Sequence, residues 1–173
     1  MPRQLPDYLR PALDVVFVGF NPGERSAKLG HYYAGRGNQF WNFLFESGLI
    51  PEKLDWKEDH RILEFRIGVT DLVKRWSKSS SELREREYRE GISRLTERLR
   101  QGAPGARVVA FNGKGVYETF CGRAIRLGWQ RETLEGARVF VLPSTSGRNG
   151  SLTRAEKLDY FCRLARWVKT HVR

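Results

Sequence analysis

Short apolar runs rich in β-branched and aromatic residues alternate along the chain with longer segments of helical periodicity. Two of these runs, Asp14–Phe20 and Arg107–Asn112, are apolar at consecutive positions, which predicts strands buried on both faces. A third strand is predicted at Arg138–Leu142 and a weaker fourth at Ile67–Val73. Residues 126–140 indicate a hairpin-like pair that includes the third strand and turns at a Glu-Gly step.

The segments between the strands carry helix signals. Within 38–49 the apolar residues fall on one helical face, and Gly48 supplies a stop. Leucine, isoleucine and tyrosine recur at helical spacing within 79–102, which predicts a helix that ends at Gly102. A serine or threonine followed three residues later by glutamate predicts two helix starts, Ser79 with Glu82 and Thr153 with Glu156.

Alternation of strands and helices predicts an α/β fold, with a mostly parallel sheet covered by helices on both faces. No repeat or shift in composition divides the chain, so we expect residues 1–173 to form a single domain. Ligands of open α/β sheets bind beyond the carboxyl ends of the strands. The segments at those ends are "NPGERSAK", "DLVKRWSKS", "NGKGVYE" and "PSTSGRNGS".

Composition adds a strong charge imbalance. The chain carries 31 Lys and Arg against 20 Asp and Glu, for a net charge of +11. Such an excess favours a polyanionic partner, most often nucleic acid, although a solvated basic surface is the alternative. The two Cys and three His show no ligand spacing, so we expect no disulfide framework and no structural metal or iron–sulfur cluster. No segment is typical of a membrane span or signal peptide, which favours a cytoplasmic, nucleoid-associated protein without membrane partners.

Two polar residues at strand ends are candidates for chemistry. Asn21, beside the Pro22-Gly23 turn, cannot act as a general base, but its amide can hold a water molecule. The alternative is that it only caps the turn. Asp71 lies at the end of the weaker strand, where a carboxylate could activate water, or else form a salt bridge or cap. "NGKGVYE" lacks the rest of a P-loop, which argues against a nucleoside triphosphate site.

Two loops suggest contacts with nucleic acid. Tyr33 lies in the glycine-rich stretch "HYYAGRGN", where an aromatic ring can stack on a nucleobase or pack in the core. The segment "LPSTSGRNGS" combines hydroxyls, Gly147 and Arg148. It can contact phosphates and insert Arg148 into a duplex, or it is an ordinary solvent loop.

These segments, taken in order, form the combination "GFNPG…SAKLGHYYAGRGNQFW…GVTDLVKR…FNGKGVYE…LPSTSGRN". From about Val15 to Asn149 it resembles the mismatch-specific uracil/thymine DNA glycosylases of the uracil-DNA glycosylase superfamily. The resemblance implies a three-layer α/β/α sandwich with a short, mostly parallel central sheet. It also implies a DNA-repair hydrolase that flips and excises uracil, or thymine and other damaged or deaminated bases, from mispairs with guanine and so initiates base excision repair.

The same resemblance implies roles for individual residues. Asn21 would position the attacking water, and Asp71 departs from the family pattern by offering a general base beside it. A pocket for the flipped base would be formed by the backbone at Phe20, the ring of Tyr33, Asn38 and Ser77. The loop after the last strand would hold the wedge Arg148 between Gly147 and Asn149, with Ser144 and Ser146 near phosphates.

No Lys is clearly placed as an amine nucleophile at the strand ends, so we expect a monofunctional enzyme without a Schiff base, with Lys74 as the alternative nucleophile. The implied chemistry needs no metal or organic cofactor. Its expected partner is double-stranded DNA with G·U or related mispairs, or single-stranded DNA, and a monomer is the default state. A noncatalytic relative that binds mispairs or abasic sites is the alternative, and a nucleoside-cleaving enzyme is disfavoured by the charge of +11. Uracil, thymine, ethenocytosine, hypoxanthine and xanthine all remain candidate bases.

Overall fold

In the computed structural model, which describes residues 4–147 and 150–173, five strands form one sheet in the order β2-β1-β3-β5-β4. They are β1 (Val15–Gly19), β2 (Ile67–Asp71), β3 (Val108–Asn112), β4 (Gly128–Leu134) and β5 (Ala137–Leu142). Neighbouring strands run parallel except β4, which pairs antiparallel with β5. The four predicted strands and the hairpin are confirmed, with ends that differ by at most two residues.

Helices cover both faces of this sheet. They are α1 (Glu24–Leu29), α2 (Phe40–Glu46), α3 (Glu85–Gly102), α4 (Lys114–Cys121) and α5 (Arg154–His171), joined by 3-10 helices at Trp56–Phe65 and Ser80–Glu82. The sequence analysis did not predict α1 and α4, which lie in segments that look polar. With 6 and 8 residues they are too short for an apolar stripe to repeat, so periodicity could not reveal them.

The predicted start of α3 at a capping box of Ser79 and Glu82 is wrong. The side chain of Ser79 caps only the 3-10 helix, accepting a hydrogen bond from the N–H of Ser81. Leu83 then adopts an extended backbone and is buried in the core, which interrupts the helical path. The end of α3 at Gly102 and the capping box of Thr153 and Glu156 at the start of α5 are confirmed.

Successive side chains of a strand point to opposite faces, and this alternation divides the core in two. On one face Phe17 of β1 packs against Phe40 of α2 and Phe161 of α5. On the other face Phe111 of β3 packs with Tyr117 of α4, in a cluster that includes residues of α3. The predicted α/β fold with its mostly parallel central sheet is therefore confirmed.

The strand register brings the ends of β1, β2 and β3 to one edge of the sheet. Gly19 pairs with Asp71, and Val18 pairs with Phe111, so Asn112 is level with Gly19. The segment before β1 runs antiparallel to β2 through a bridge at Tyr8. No helix within the two described ranges is both long and apolar enough to cross a membrane.

Candidate active site

The carboxyl ends of β1, β2, β3 and β5 border a cleft of about 970 Å³. Every predicted site residue that the structure describes lines this cleft, and their roles stay predictions. These residues are Phe20, Asn21, Tyr33, Asn38, Asp71, Ser77, Ser144, Ser146 and Gly147. Arg148 and Asn149, the predicted wedge and its neighbour, lie outside the described residues.

The side chain of Asn21 is held by its amide nitrogen. Nδ2 donates to the hydroxyl of Ser77 over 2.8 Å and to the carbonyl of Arg75 over 2.9 Å. The hydroxyl of Ser77 is in turn committed, because it donates to the carbonyl of Ser79 over 2.7 Å. Ser77 therefore helps to position Asn21, whose carbonyl oxygen has no hydrogen-bond partner among the described residues and can accept from a ligand.

Asp71 is a buried carboxyl group in the wall of the cleft. It is 3% exposed, and its Oδ2 has no hydrogen-bond partner among the described residues. Burial is the main reason that the pKa of Asp71 is raised to about 7, with Asp7 adding to the rise and Lys74 and Arg98 opposing it. Near neutral pH this group can therefore take up or release a proton.

Gly19 makes room for that carboxyl group. A Cβ atom at this position would collide with Oδ1 of Asp71 and would lie 3.0 Å from the hydroxyl of Tyr33. Only a residue without a side chain permits this arrangement at the end of β1. Gly19 belongs to the stretch that the sequence analysis examined, but its role depends on a neighbouring strand and could not be seen in the sequence.

Tyr33 forms another wall of the cleft. Its backbone is in the left-handed region at φ 53°, and its ring stacks on Phe40 with centroids 4.0 Å apart. Its hydroxyl is buried without a hydrogen-bond partner among the described residues. Burial and the nearby charge of Asp71 raise the pKa of Tyr33, so the hydroxyl keeps its proton at neutral pH. Because the ring of Tyr33 stacks on Phe40, one of its faces is supported by the core.

Asn112 lines the same cleft and was missed in the sequence analysis. It is 8% exposed, and its Oδ1 is a third buried polar atom here that has no partner among the described residues, beside the hydroxyl of Tyr33 and Oδ2 of Asp71. Leaving such an atom unpaired costs about 1–3 kcal/mol. The sequence signal that could have identified Asn112 is its position as a polar residue at the end of a fully buried strand. Three such atoms in one cleft indicate a site for a polar ligand.

A charged network lies behind Asp71. The carboxylate of Asp7, from the segment before β1, accepts hydrogen bonds from Thr70 over 2.6 Å and from Lys74 over 2.7 Å. It also pairs with Arg98 of α3 at 3.2 Å. Arg98 donates to the backbone carbonyl of Asp71 over 2.7 Å. This network joins three separate parts of the chain and could not be predicted from residue spacing.

Phe20 and Asn38 are the two other residues predicted to form the pocket for the base. Phe20 packs its ring edge-on against Tyr88, at 5.6 Å, so its side chain belongs to the core between β1 and α3. Its carbonyl accepts a hydrogen bond from the N–H of Val73. Asn38 precedes the N-cap residue of α2, and its Oδ1 accepts a hydrogen bond from the N–H of Phe40 over 3.0 Å. Its amide nitrogen makes no hydrogen bond to another described residue and can donate to a ligand in the cleft.

The loop after β5 closes the far side of the cleft. Oγ of Ser144 accepts from the N–H of Ser146 over 3.2 Å, which is a local turn contact. Thr145 is buried at 2% exposure, and its carbonyl accepts from the N–H of Gln39 over 3.0 Å. The loop is thereby tied to the start of α2. In the described part of the chain, no cluster of His, Cys, Asp and Glu has the arrangement of a metal site.

Two comparisons with known proteins agree with this architecture. The solution NMR structure of a protein from Methanosarcina acetivorans, provisionally named as a uracil DNA glycosylase, superposes with a TM-score of 0.60. The two sequences are 21% identical, and the match covers 94% of this chain and 98% of the other, which supports the fold alone. The family model of the uracil DNA glycosylase superfamily matches residues 6–169. The chain therefore belongs to the uracil DNA glycosylase superfamily.

Proposed function

We propose that this chain is a monofunctional DNA glycosylase that flips uracil out of mispairs with guanine and excises it. The observation that carries the proposal is the presence in one cleft of two groups: Asn21, whose amide nitrogen is anchored and whose carbonyl oxygen has no partner among the described residues, and the buried carboxyl of Asp71. Membership of the superfamily supports the reaction class. We also propose thymine and other deaminated or damaged bases as substrates, which the resemblance to the mismatch-specific branch supports.

In the proposed reaction a water molecule attacks C1′ of the flipped nucleotide. The carbonyl oxygen of Asn21 accepts a hydrogen bond from the water and orients it, while the ionised carboxyl of Asp71 takes its proton. The oxygen of the water forms a bond to C1′ as the N-glycosidic bond breaks. The bonding electrons leave with the pyrimidine, which departs as an anion and is later protonated. This reaction needs no metal or organic cofactor.

The transition state carries positive charge on the sugar and negative charge on the pyrimidine. An ionised Asp71 favours the positive sugar by charge. Backbone N–H groups around Phe20 would stabilise the developing charge on the departing pyrimidine. Tyr33 would hold the base by stacking, since its other face is already supported by Phe40 at 4.0 Å.

The environment of Lys74 supports a monofunctional mechanism. Its ammonium group donates to Asp7 over 2.7 Å and to the hydroxyl of Tyr32 over 3.2 Å, and the side chain is 17% exposed. An amine nucleophile must reach the sugar bound in the cleft, and Lys74 is not among the described residues that line it. Water is therefore the proposed acceptor of the sugar.

The DNA contacts rest on charge and on the loop after β5. A net charge of +11 favours binding to the phosphate backbone. Ser144, Ser146 and Gly147 line the rim of the cleft, where hydroxyl and N–H groups can donate to phosphates. We propose that Arg148 enters the space that the flipped nucleotide vacates. A mispair lowers the cost of flipping, which supplies part of the selectivity.

The proposal is tested with a labelled duplex that carries one G·U mispair. Release of free uracil, with strand breaks appearing only after hot alkali, is the expected result for a monofunctional glycosylase. Tight binding of the duplex without release at any enzyme excess would instead identify a noncatalytic binder of mispairs. Equal turnover of deoxyuridine as free nucleoside and in duplex would identify a nucleoside hydrolase.

A further inference from the structure

A smaller pocket of about 340 Å³ opens beside the cleft, and we call it the side pocket. Tyr33, Gly35 and Asn38, from the loop between α1 and α2, line both cavities and form the border between them. The other residues that line the side pocket are Trp41, Asn42, Lys53, Leu54, Asp55 and Trp56. None of these six takes part in the reaction proposed above. The volume is at the lower end of the ~300–1,000 Å³ that is typical of ligand sites.

Two indole rings form the aromatic part of the side pocket. Trp41 is 5% exposed, and its Nε1 donates to the carbonyl of Tyr32 over 3.1 Å, which fixes the ring. Trp56 is half-buried, and the ring of His31 lies 5.5 Å from it. His31 is itself held by a 2.9 Å hydrogen bond to the buried side chain of Asp59. A partly exposed indole with anchored neighbours offers a stacking surface to a nucleobase.

Two amide side chains add hydrogen-bonding groups of both kinds. Nδ2 of Asn38 makes no hydrogen bond to another described residue, so it can donate to a ligand. Nδ2 of Asn42 donates to Oε1 of Gln39 over 3.1 Å, which leaves its Oδ1 to accept. Every nucleobase carries hydrogen-bonding groups on its edges. We therefore expect the side pocket to hold a base without selecting its identity.

Exposed cations surround the side pocket. The guanidinium of Arg25 and the ammonium of Lys57 lie 5.9 Å and 5.4 Å from the centre of the Trp56 ring, and Lys53 lines the pocket. Within the described part of the chain none of these three cations forms an ion pair. Asp55 is the one carboxylate among the described residues that line the pocket. This balance of charge favours an anionic ligand, such as the phosphate of a nucleotide.

We propose that the side pocket binds the nucleotide next to the flipped one in single-stranded DNA, with its base against Trp56 and its phosphate near Arg25 and Lys57. The proposal rests on the function given above, because it needs a flipped nucleotide in the cleft. Neighbouring nucleotides share one phosphate, and the loop that carries Tyr33 and Asn38 borders both cavities. In a duplex the neighbour stays paired and stacked, whereas in a single strand its base can be turned out. The side pocket thus offers a single strand contacts that replace those of the missing complementary strand.

Binding of single strands without cleavage tests the side pocket. A strand with one 2′-fluoro-2′-deoxyuridine resists hydrolysis, because fluorine disfavours the oxocarbenium-like transition state. Two matched strands carry an abasic tetrahydrofuran in place of the 5′ or the 3′ neighbour. The wild-type chain should bind one of these two about 5-fold to 150-fold more weakly than the intact strand, the range for losing one stacked base. Unchanged binding of both would overturn the inference.

Variants of the aromatic wall identify where the neighbouring base lies. Trp56→Ala should bind the intact strand more weakly and lose the sensitivity to the missing base, while Trp56→Phe should keep part of both. Phe45→Ala is the matched control, because Phe45 is an aromatic residue of α2 that is 42% exposed and lines neither cavity. It should bind all three strands as the wild type does. A sensitivity that persists in Trp56→Ala would place the base elsewhere and overturn the inference.

Two further measurements separate this site from a general DNA contact. Trp56→Ala should leave binding of a duplex with the same analogue opposite guanine unchanged, because the neighbour stays stacked there. Equal losses on strand and duplex would contradict the proposal. Lys57→Gln leaves the ring in place and should lower the slope of log K against log salt for the intact strand by about 0.7. An unchanged slope would contradict the phosphate contact, whether or not Trp56→Ala folds.

Excision and binding fail separately. A chain that shows the expected loss with an abasic neighbour, dependent on Trp56, but releases no uracil would contradict the glycosylase and leave the side pocket. A chain that excises uracil from a single strand, and binds strands with and without the neighbouring base equally, would contradict the side pocket and leave the glycosylase.

Discussion

The amide nitrogen of Asn21 donates a 2.8 Å hydrogen bond to the hydroxyl of Ser77, which joins the turn after β1 to the loop after β2. A second bond, to the carbonyl of Arg75, holds the same nitrogen. With both protons of the amide engaged, its orientation is fixed before any ligand arrives. Asn21 can therefore orient water without paying for ordering during the reaction.

Asn21→Ala should lower single-turnover excision of uracil by roughly 10²-fold to 10⁴-fold, the range for losing a positioned catalytic group. Ser77→Ala should cost only about fivefold to tenfold, because the bond to Arg75 still holds the amide. Rates at saturating enzyme, with thermal melting to check the fold, measure both. Near-full activity in Asn21→Ala, or equal losses in the two variants, would contradict these roles.

The pKa of Asp71, raised to about 7, sets an expected pH dependence. A general base must be ionised, so the excision rate should rise with pH and level off above about 7. Asp71→Asn should remove this rise and most of the activity. A rise in rate that persists unchanged in Asp71→Asn would assign it to another group and return Asp71 to a structural role.

The same shift predicts an effect on stability. The folded-state pKa of about 7 lies above the ordinary value of 3.8, so the neutral carboxyl is the form that the fold favours. Its contribution is present in full below the ordinary value and is lost as pH rises through about 7. Asp71→Asn should therefore raise the free energy of unfolding at pH 8, by a few kcal/mol at most, and change it little near pH 4. Equal effects at both pH values would contradict the shift.

The strands and the long helices were accessible to prediction, because their signals are local. β1 and β3 are continuous apolar runs, and α5 begins at a capping box that the structure retains. The capping-box pattern of Ser79 and Glu82 is a local signal too, but the burial of Leu83 in the core prevents α3 from starting there. Short helices such as α1 offered too few residues for a period to appear.

The candidate site could be predicted from the sequence only in part, for a different reason. Asn21, Tyr33 and Asp71 could be named because each ends a strand or lies in a glycine-rich loop of a familiar pattern. The roles of Gly19 and Asp7 depend on distances between segments, to Asp71 in one case and to Lys74 in the other. Such contacts follow from the register of the sheet and from chain packing, and neither can be read from spacing along one sequence.

The network behind Asp71 predicts opposite shifts for two variants. The charged and titratable groups that face Asp71 are Asp7, Lys74, Arg98, Tyr32 and Tyr33. Asp7→Asn removes a negative charge and releases two cations, so the pKa of Asp71 should fall. Lys74→Met removes a positive charge, so the pKa should rise. Titration of the Asp71 carboxyl carbon by NMR measures both shifts without relying on activity.

The pKa shift of Asp71 expected in Asp7→Asn should also change the rate of excision at pH 6. About one eleventh of Asp71 is ionised one pH unit below its pKa, so Asp7→Asn can accelerate excision there by up to about elevenfold. Asp159→Asn is a matched control, because it removes one exposed negative charge on α5, paired with Arg163, far from this network. Acceleration by both variants would point to DNA attraction instead of Asp71, and no shift in the carboxyl titration would exclude the network as its cause.

Arg148→Ala is expected to slow excision from a duplex mispair more than from a single strand. A wedge fills the gap that a flipped nucleotide leaves in stacked DNA, and a single strand has no such gap. Parallel single-turnover assays on a G·U duplex and on the uracil strand alone measure the difference. Equal losses on the two substrates would make Arg148 a general phosphate contact.

Gly19→Ala tests whether the site depends on the missing side chain at the end of β1. The added methyl group would collide with Asp71 and press on the hydroxyl of Tyr33, so excision should fall by at least about tenfold as both are displaced. Gly115→Ala is the matched control, since its methyl group meets nothing within 4 Å on the exposed side of α4. That variant should keep full activity and gain up to about 1 kcal/mol in stability from helix propensity. Full activity in a folded Gly19→Ala would mean that Asp71 and Tyr33 do not need their present positions for catalysis.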